Sequence, residues 1–226
     1  MFHVKHKVAM ILVFLFLIPI LSLTQGMYSL PDAPFRHGPP HDSSAYQFLA
    51  RSPYFKSLGK QEQEFFQWVN IFRLDPSGFG DRYIQPFLEQ FPEIRGNETR
   101  SLLEDLNQAR PLEALVPDPV LLRTSQAHAL DLSKSAHVLN HNSSNGTSFK
   151  ARMEMAGIRK CAGENLYDGK NDPIMALIIL LVDKGVANAG HRKALMRPDF
   201  RKMGVSIIPW KADPAYVVLV QDFSCD

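Results

Sequence analysis

The 226-residue chain is short of four things: cysteine, surplus charge, a long apolar run and any internal repeat. Cysteine comes to 2 residues, Cys161 and Cys225. In an exported chain a lone pair reads as a disulfide rather than a metal clip or a redox motif. Two unpaired thiols are the alternative, and spacing leaves it open. A bond closing that loop stabilises a fold by about 4 kcal/mol on chain-entropy grounds. Lys and Arg number 25 against 23 Asp and Glu. A nucleic-acid binder needs a basic surplus to displace counterions from phosphate, so that class is excluded. The apolar run from Val8 to Leu21 is shorter than the roughly 20 residues a membrane-spanning helix needs.

The flanks of that run are informative. Lys5 and Lys7 precede it, and the small, polar stretch Ser22-Leu23-Thr24-Gln25-Gly26 comes after it. This is the make-up of a secretory signal peptide over residues 1–26, so export to the extracellular or extracytoplasmic side is expected. An uncleaved membrane anchor is the alternative. Removing the segment takes away two lysines and no acids, which leaves 23 basic and 23 acidic side chains and a formal charge of zero. The rest suits one domain over residues 59–226, preceded by an extended, poorly packed arm over 27–58. In that arm "PDAPFRHGPPHDSS" has no period, and His37 and His41 read as stray surface histidines rather than metal ligands.

From Gln61 the texture turns helical. "KQEQEFFQWVNIFRLDP" places Phe65, Trp68, Val69 and Phe72 on one face and ends at Asp75-Pro76. "GDRYIQPFLEQF" reads as a second, short helical piece. Asp118-Pro119 opens the next helix, with the aspartate capping free amides and the proline in the first turn. Its expected buried stripe is Leu122, Ala129, Leu132, Ala136 and Leu139. "SFKARMEMAG" is a short helix stopped by Gly157. Asn171-Asp172-Pro173 repeats the start signal and opens "IMALIILLVDKG", which is apolar almost all round and so a buried core helix. "MGVSIIPW" and "AYVVLVQDFS" are β-rich runs forming an antiparallel hairpin across "KADP". Helices first and strands last make an α+β chain, with a small sheet covered by helices.

His128, His137 and His141 cluster along the chain, and His137 and His141 have zinc-ligand spacing for a helix face. Val138 stands where the H-E-x-x-H protease motif needs its glutamate, and the Asn140 to Gly146 run ends the helix before His141. A better constellation is dispersed: His141 in a loop, Glu164 in "CAGENLY", Asp183 after the buried helix, and His191 at the opening of a short helix. Two neutral imidazoles bind a divalent metal, and carboxylates orient them or serve in acid–base chemistry. The helix dipole at His191 favours its neutral ring. Local capping and hydrogen bonding is the plainer account of the same residues. Ser143 and Ser144 lie beside His141, but in a polar turn where serine is common. The triplets at Asn97, Asn142 and Asn145 match glycosylation acceptors and read as bare loop residues in a bacterial host.

In order, "HNSSNGTSFKARMEMAG", "GENLY" and "GHRKALMRPDFRKMGVSI" resemble the CAP superfamily of cysteine-rich secretory, antigen 5 and pathogenesis-related proteins. The resemblance is strongest to bacterial secreted SCP-like proteins and spans roughly residues 60–226. It implies a three-layer α-β-α sandwich with a central cleft of two histidines and two acids, in which some members bind zinc. By motif the histidines are His141 and His191 and the first acid is Glu164. Asp183 is the nearest candidate for the second, which in many members is a longer glutamate. The extra cysteines of eukaryotic members are missing, so no cysteine-rich appendage is expected. The resemblance thus implies a monomeric, secreted binding module for a divalent metal, zinc first, and a lipid, peptide, glycan or cell-surface protein partner. The alternative is a metal-assisted hydrolase or peptidase using Glu164 and Asp183 in the same cleft.

Overall fold

The structure, a computed structural model, describes residues 34–225 apart from 36, 41, 42 and 136. The expected signal segment, His41 and Ala136 lie outside the described residues. Among the described residues one sheet forms from β1 (Val116–Pro117), β2 (Ala162–Lys170), β3 (Lys202–Pro209) and β4 (Tyr216–Ser224), in the order β1-β3-β4-β2. The hairpin expected from the last two apolar runs is there, with β3 antiparallel to β4 and Val205 opposite Gln221. β4 takes the centre because both of its faces are apolar. Val217, Leu219 and Phe223 enter one cluster and Val218 and Val220 the other, as the two-residue period of a strand requires. β2 runs antiparallel along its far side, from Ala162 opposite Ser224 to Lys170 opposite Tyr216. β1 adds two residues parallel to β3.

Helices cover both faces. α1 (Ser44–Leu49), α2 (Pro53–Lys56), α3 (Lys60–Leu74), α4 (Pro76–Phe79), α5 (Gln85–Gln90) and α6 (Asn97–Gln108) come before the sheet in the chain. A π turn over Gly80–Ile84 joins α4 to α5. α7 (Pro119–Leu132) and α8 (Phe149–Met155) follow β1, and α9 (Pro173–Val182) and α10 (Gly190–Leu195) lie between β2 and β3. α7 puts Ala129 and Leu132 against Leu166, Trp210, Val218 and Val220. On the opposite face, α3 and α9 bring Phe65, Val69, Leu177 and Leu181 into one cluster with Tyr167, Val205 and Leu219. The expected α-β-α sandwich is the fold, with a mixed, mostly antiparallel sheet.

The start signals act as the sequence predicts. Asp118 accepts from the amides of Val120 and Leu121 at 2.8 and 3.0 Å, and Asp172 accepts from Met175 N–H at 3.2 Å. α9 is buried along almost its whole length, and Gly157 ends α8 with φ 87°. α7 departs from expectation. It stops at Leu132, where the Ser133 and Ser135 hydroxyls donate back to the carbonyls of Leu130 and Leu132 at 3.0 and 2.7 Å. Its buried stripe is Leu121, Ser125, His128, Ala129 and Leu132. Leu139 lies beyond the helix and is only partly covered.

The described part of the segment 27–58 is not extended and loose, as its composition suggests. It carries α1 and α2, and it buries Phe35, Leu49 and Phe55 in the main cluster. The Phe35 ring meets Phe87 edge-on with centroids 5.3 Å apart. Cys161 and Cys225 form a disulfide with Cα atoms 5.5 Å apart, tying the entry to β2 to the exit from β4.

Candidate functional site

β2 is an edge strand, and its Glu164 and Asn165 point to opposite faces of the sheet. On the α7 face, Glu164 Oε1 takes a hydrogen bond from His141 Nδ1 at 2.8 Å. Arg152, on α8, donates to Glu164 Oε2. The same guanidinium donates to the His141 carbonyl at 2.8 Å and to Ser143 Oγ at 3.4 Å, so it fastens the histidine loop to the strand. His128, buried on α7, stands 3.9 Å from Glu164 Oε2. Its Nε2 lies 2.9 Å from the Asn140 carbonyl. A carbonyl accepts only, so Nε2 carries the proton and the buried Nδ1 is left without a partner among the described residues. Burial pushes the His128 pKa down, against the opposing pull of Glu164, with Arg152 adding to the downward shift. This ring is therefore neutral at pH 7.

The second pair is built where α9 ends and α10 begins. Asp183 follows α9 in a left-handed conformation, φ 56°. Residues 184–189 then turn back through three further left-handed positions, Gly185 at φ 77°, Asn188 at φ 61° and Ala189 at φ 49°. The turn brings His191 Nδ1 to 2.7 Å from Asp183 Oδ1. Asp183 Oδ2 accepts from the amides of His191 and Arg192 at 2.8 and 3.2 Å. The first-turn amides of α10 are thus spent on Asp183. Arg192 locks this turn in place by donating to the carbonyls of Leu181, Val182 and Glu98 at 2.7, 3.1 and 3.0 Å. From α3, the buried Arg73 donates to the carbonyls of Leu195 and Arg197 at 2.7 and 3.1 Å, holding the far end of α10. Its pKa falls to about 10, chiefly from burial and then from Arg201, and the group stays charged. Asn165 Nδ2 reaches the His191 carbonyl at 3.4 Å, so neighbouring residues of β2 touch both histidine pairs.

The four residues singled out by sequence are therefore joined two by two: His141 with Glu164 and His191 with Asp183. Among the described residues no three His, Cys, Asp or Glu side chains group closely enough to hold one metal ion. His137 and His141 share no helix. His137 has φ 50° and turns its Nδ1 to Asp168 at 3.1 and 3.2 Å, while Trp210 Nε1 donates to the same carboxylate at 2.7 Å. The serines beside His141 are also occupied. Ser144 gives both its amide and its hydroxyl to Asp131, each at 2.6 Å.

Sequence reasoning missed Arg152 and Asp222. Asp222 sits opposite Glu164 on β4 and accepts from Thr124 Oγ1 at 2.6 Å. The available signal was parity: an aspartate two residues beyond Val220 shares the inward face of Val218 and Val220.

A helix-covered sheet closed by a disulfide, with two histidine–carboxylate pairs touched by neighbouring residues of one edge strand, defines the class of molecule. The chain belongs to the CAP family, described as the cysteine-rich secretory protein family, which it matches over residues 68–223. No curated protein matches it. Among solved structures it is similar in fold to an extracellular protein containing an SCP domain from Bacillus anthracis str. Ames. That likeness has 18% identity and a TM-score of 0.47 and covers 74% of this chain and 40% of that one. The chain thus spans less than half of the Bacillus protein's length. An outer surface protein from Borrelia burgdorferi is similar at 19% identity and TM-score 0.42, over 62% of this chain and 91% of that one. NaASP2, solved with Zn2+, is similar at 15% identity and TM-score 0.41, over 74% and 81%.

Proposed function

We propose that this CAP-family protein is an exported binding module whose cleft lies around the edge of β2. It takes a divalent cation, zinc by the nature of its ligands, on His141 and His191, and a lipid, peptide or glycan partner beside it. One observation carries the reading: in both pairs the carboxylate faces Nδ1. A carboxylate only accepts, so Nδ1 holds the proton and Nε2 keeps the lone pair a metal needs. The donor chemistry fits a site of two imidazoles completed by water or by a partner's oxygen atoms. It does not fit the closed cage of a structural zinc or the three protein ligands usual for a catalytic one. Export is supported by the disulfide, which persists in oxidising compartments, and by the basic and apolar leader composition.

A metal-assisted hydrolase is the second reading, favoured by the buried Glu164 carboxylate held beside an imidazole. Ser144 offers it no nucleophile, being tied to Asp131. Calorimetric zinc titration of the wild type, His141→Ala and His191→Ala, followed by a peptide-library cleavage assay, separates the two. Zinc uptake lost in both variants without cleavage supports the binding module. Metal-dependent cleavage abolished by Glu164→Gln establishes the hydrolase instead, and wild-type protein that takes up no zinc removes the metal from both.

A further inference from the structure

Asp222 is an ionisable group in the buried layer between α7 and the sheet. Its side chain is fully buried, on the face that carries Val218 and Val220 into the cluster under α7. Its cross-strand partners are Glu164 on β2 and Gly204 on β3. A Cβ on Gly204 would lie 2.1 Å from the backbone carbon of Leu121, so α7 rests directly on the sheet here and shuts out water. Three residues along that helix, Thr124 donates its hydroxyl to Asp222 Oδ2 at 2.6 Å. Oδ1 has no hydrogen-bond partner among the described residues, and the residue directly across the ladder from it is Glu164, whose carboxyl is likewise buried.

Two ionised carboxylates are both acceptors and cannot bond to each other. The charges facing Asp222 also fail to support two. Arg152 on α8 donates to Glu164, His128 on α7 is neutral, Thr124 is uncharged and Gly204 offers nothing. Arg152 is the one buried cation beside the two carboxyls, and the His141 ring meets only Glu164 Oε1, from a half-exposed position.

We propose that Asp222 is a positioning residue that stands as a neutral carboxylic acid, accepting from Thr124 at Oδ2 and donating its own proton from Oδ1 to Glu164. It thereby holds the Glu164 carboxylate against His141 and Arg152. Burial, and then the charge of Glu164, push the Asp222 carboxyl well above the usual carboxylate range. The proposal deepens the cleft reading by naming what fixes Glu164, and it rests on that reading only for its functional meaning.

The test uses the full chain without metal or ligand, so its outcome is independent of the zinc titration. The Asp222 carboxyl carbon, followed by NMR from about pH 4.5 to 7, is expected at the protonated shift throughout. Asp222→Asn keeps an acceptor for Thr124 and a donor for Glu164 but has no proton to lose. The ratio of wild-type to Asp222→Asn unfolding constants is therefore expected to rise by up to about tenfold per pH unit above about pH 4. An Asp222 carbon at the ionised shift at pH 7, or a flat ratio from pH 4 to 7, overturns the proposal. Should the variant fail to fold, the wild-type carbon signal decides alone.

Discussion

His128 lies 1% exposed on the inner face of α7, with one ring nitrogen on a carbonyl and the other without a partner among the described residues. Protonation would place an unpaired N–H and a charge in that layer. Since burial lowers its folded-state pKa below the ordinary histidine value of 6.5, the unfolded chain binds more protons as pH drops through 6.5. Stability must then fall on acidification, with a slope of at most about 1.4 kcal/mol per pH unit for one proton. His128→Gln removes this titration, so its own stability is expected to change less between pH 7 and pH 5 than the wild type's. Urea denaturation of both proteins at the two pH values measures the difference. Equal losses would show that folding does not lower the His128 pKa. At this scale sequence named the ionisable residues and stopped short of their pairing. His141 meets Glu164 across 23 positions and His191 meets Asp183 across 8, and only the sheet and the left-handed turn at residues 183–189 bring those partners into contact.

The elements divide by where their stabilising contacts come from. α7 and α9 were legible because their caps are local: an aspartate and a proline satisfy and preorganise the first turn. The β3–β4 hairpin was legible from its β-branched composition. β2 was not, since "AGENLYDGK" is built of Gly, Asn and Asp between a few apolar residues and stands as a strand through its backbone ladder to β4. The segment before α3 was misread for the same reason. "PDAPF" carries no period, yet Phe35 is 1% exposed between the rings of Phe87 and Phe91, far along the chain. Truncating a buried phenylalanine costs about 3 to 5 kcal/mol. Phe35→Ala is therefore expected to lower the unfolding free energy by about 3 kcal/mol. Phe48→Ala, at a ring 37% exposed, should lose distinctly less. Comparable denaturation midpoints for the two variants would mean that the segment does not dock.

At the scale of the whole molecule, one covalent bond closes the sheet where its edge strand begins. Cys161 and Cys225 are 64 positions apart, and between them lie β2, α9, α10, β3 and β4, with Glu164, Asp183, His191 and Asp222 all inside the loop. Removing the bond frees that loop in the unfolded chain and costs about 4 kcal/mol on chain-entropy grounds. In the native state the ladder from Ala162 opposite Ser224 to Lys170 opposite Tyr216 still holds β2, so the fold should survive with a reduced margin. The fraying should start at the disulfide end, because Glu164 lies two residues inside the strand's first pair. The double variant Cys161→Ala/Cys225→Ala is expected to unfold at lower denaturant with an unfolding free energy reduced by about 4 kcal/mol. Its amide exchange should quicken around Gly163 and Glu164 before it does around Gly169. A variant as stable as the wild type, or one whose exchange rises evenly along β2, would show that the ladder and not the disulfide fixes the end of the strand on which the His141–Glu164 pair is built.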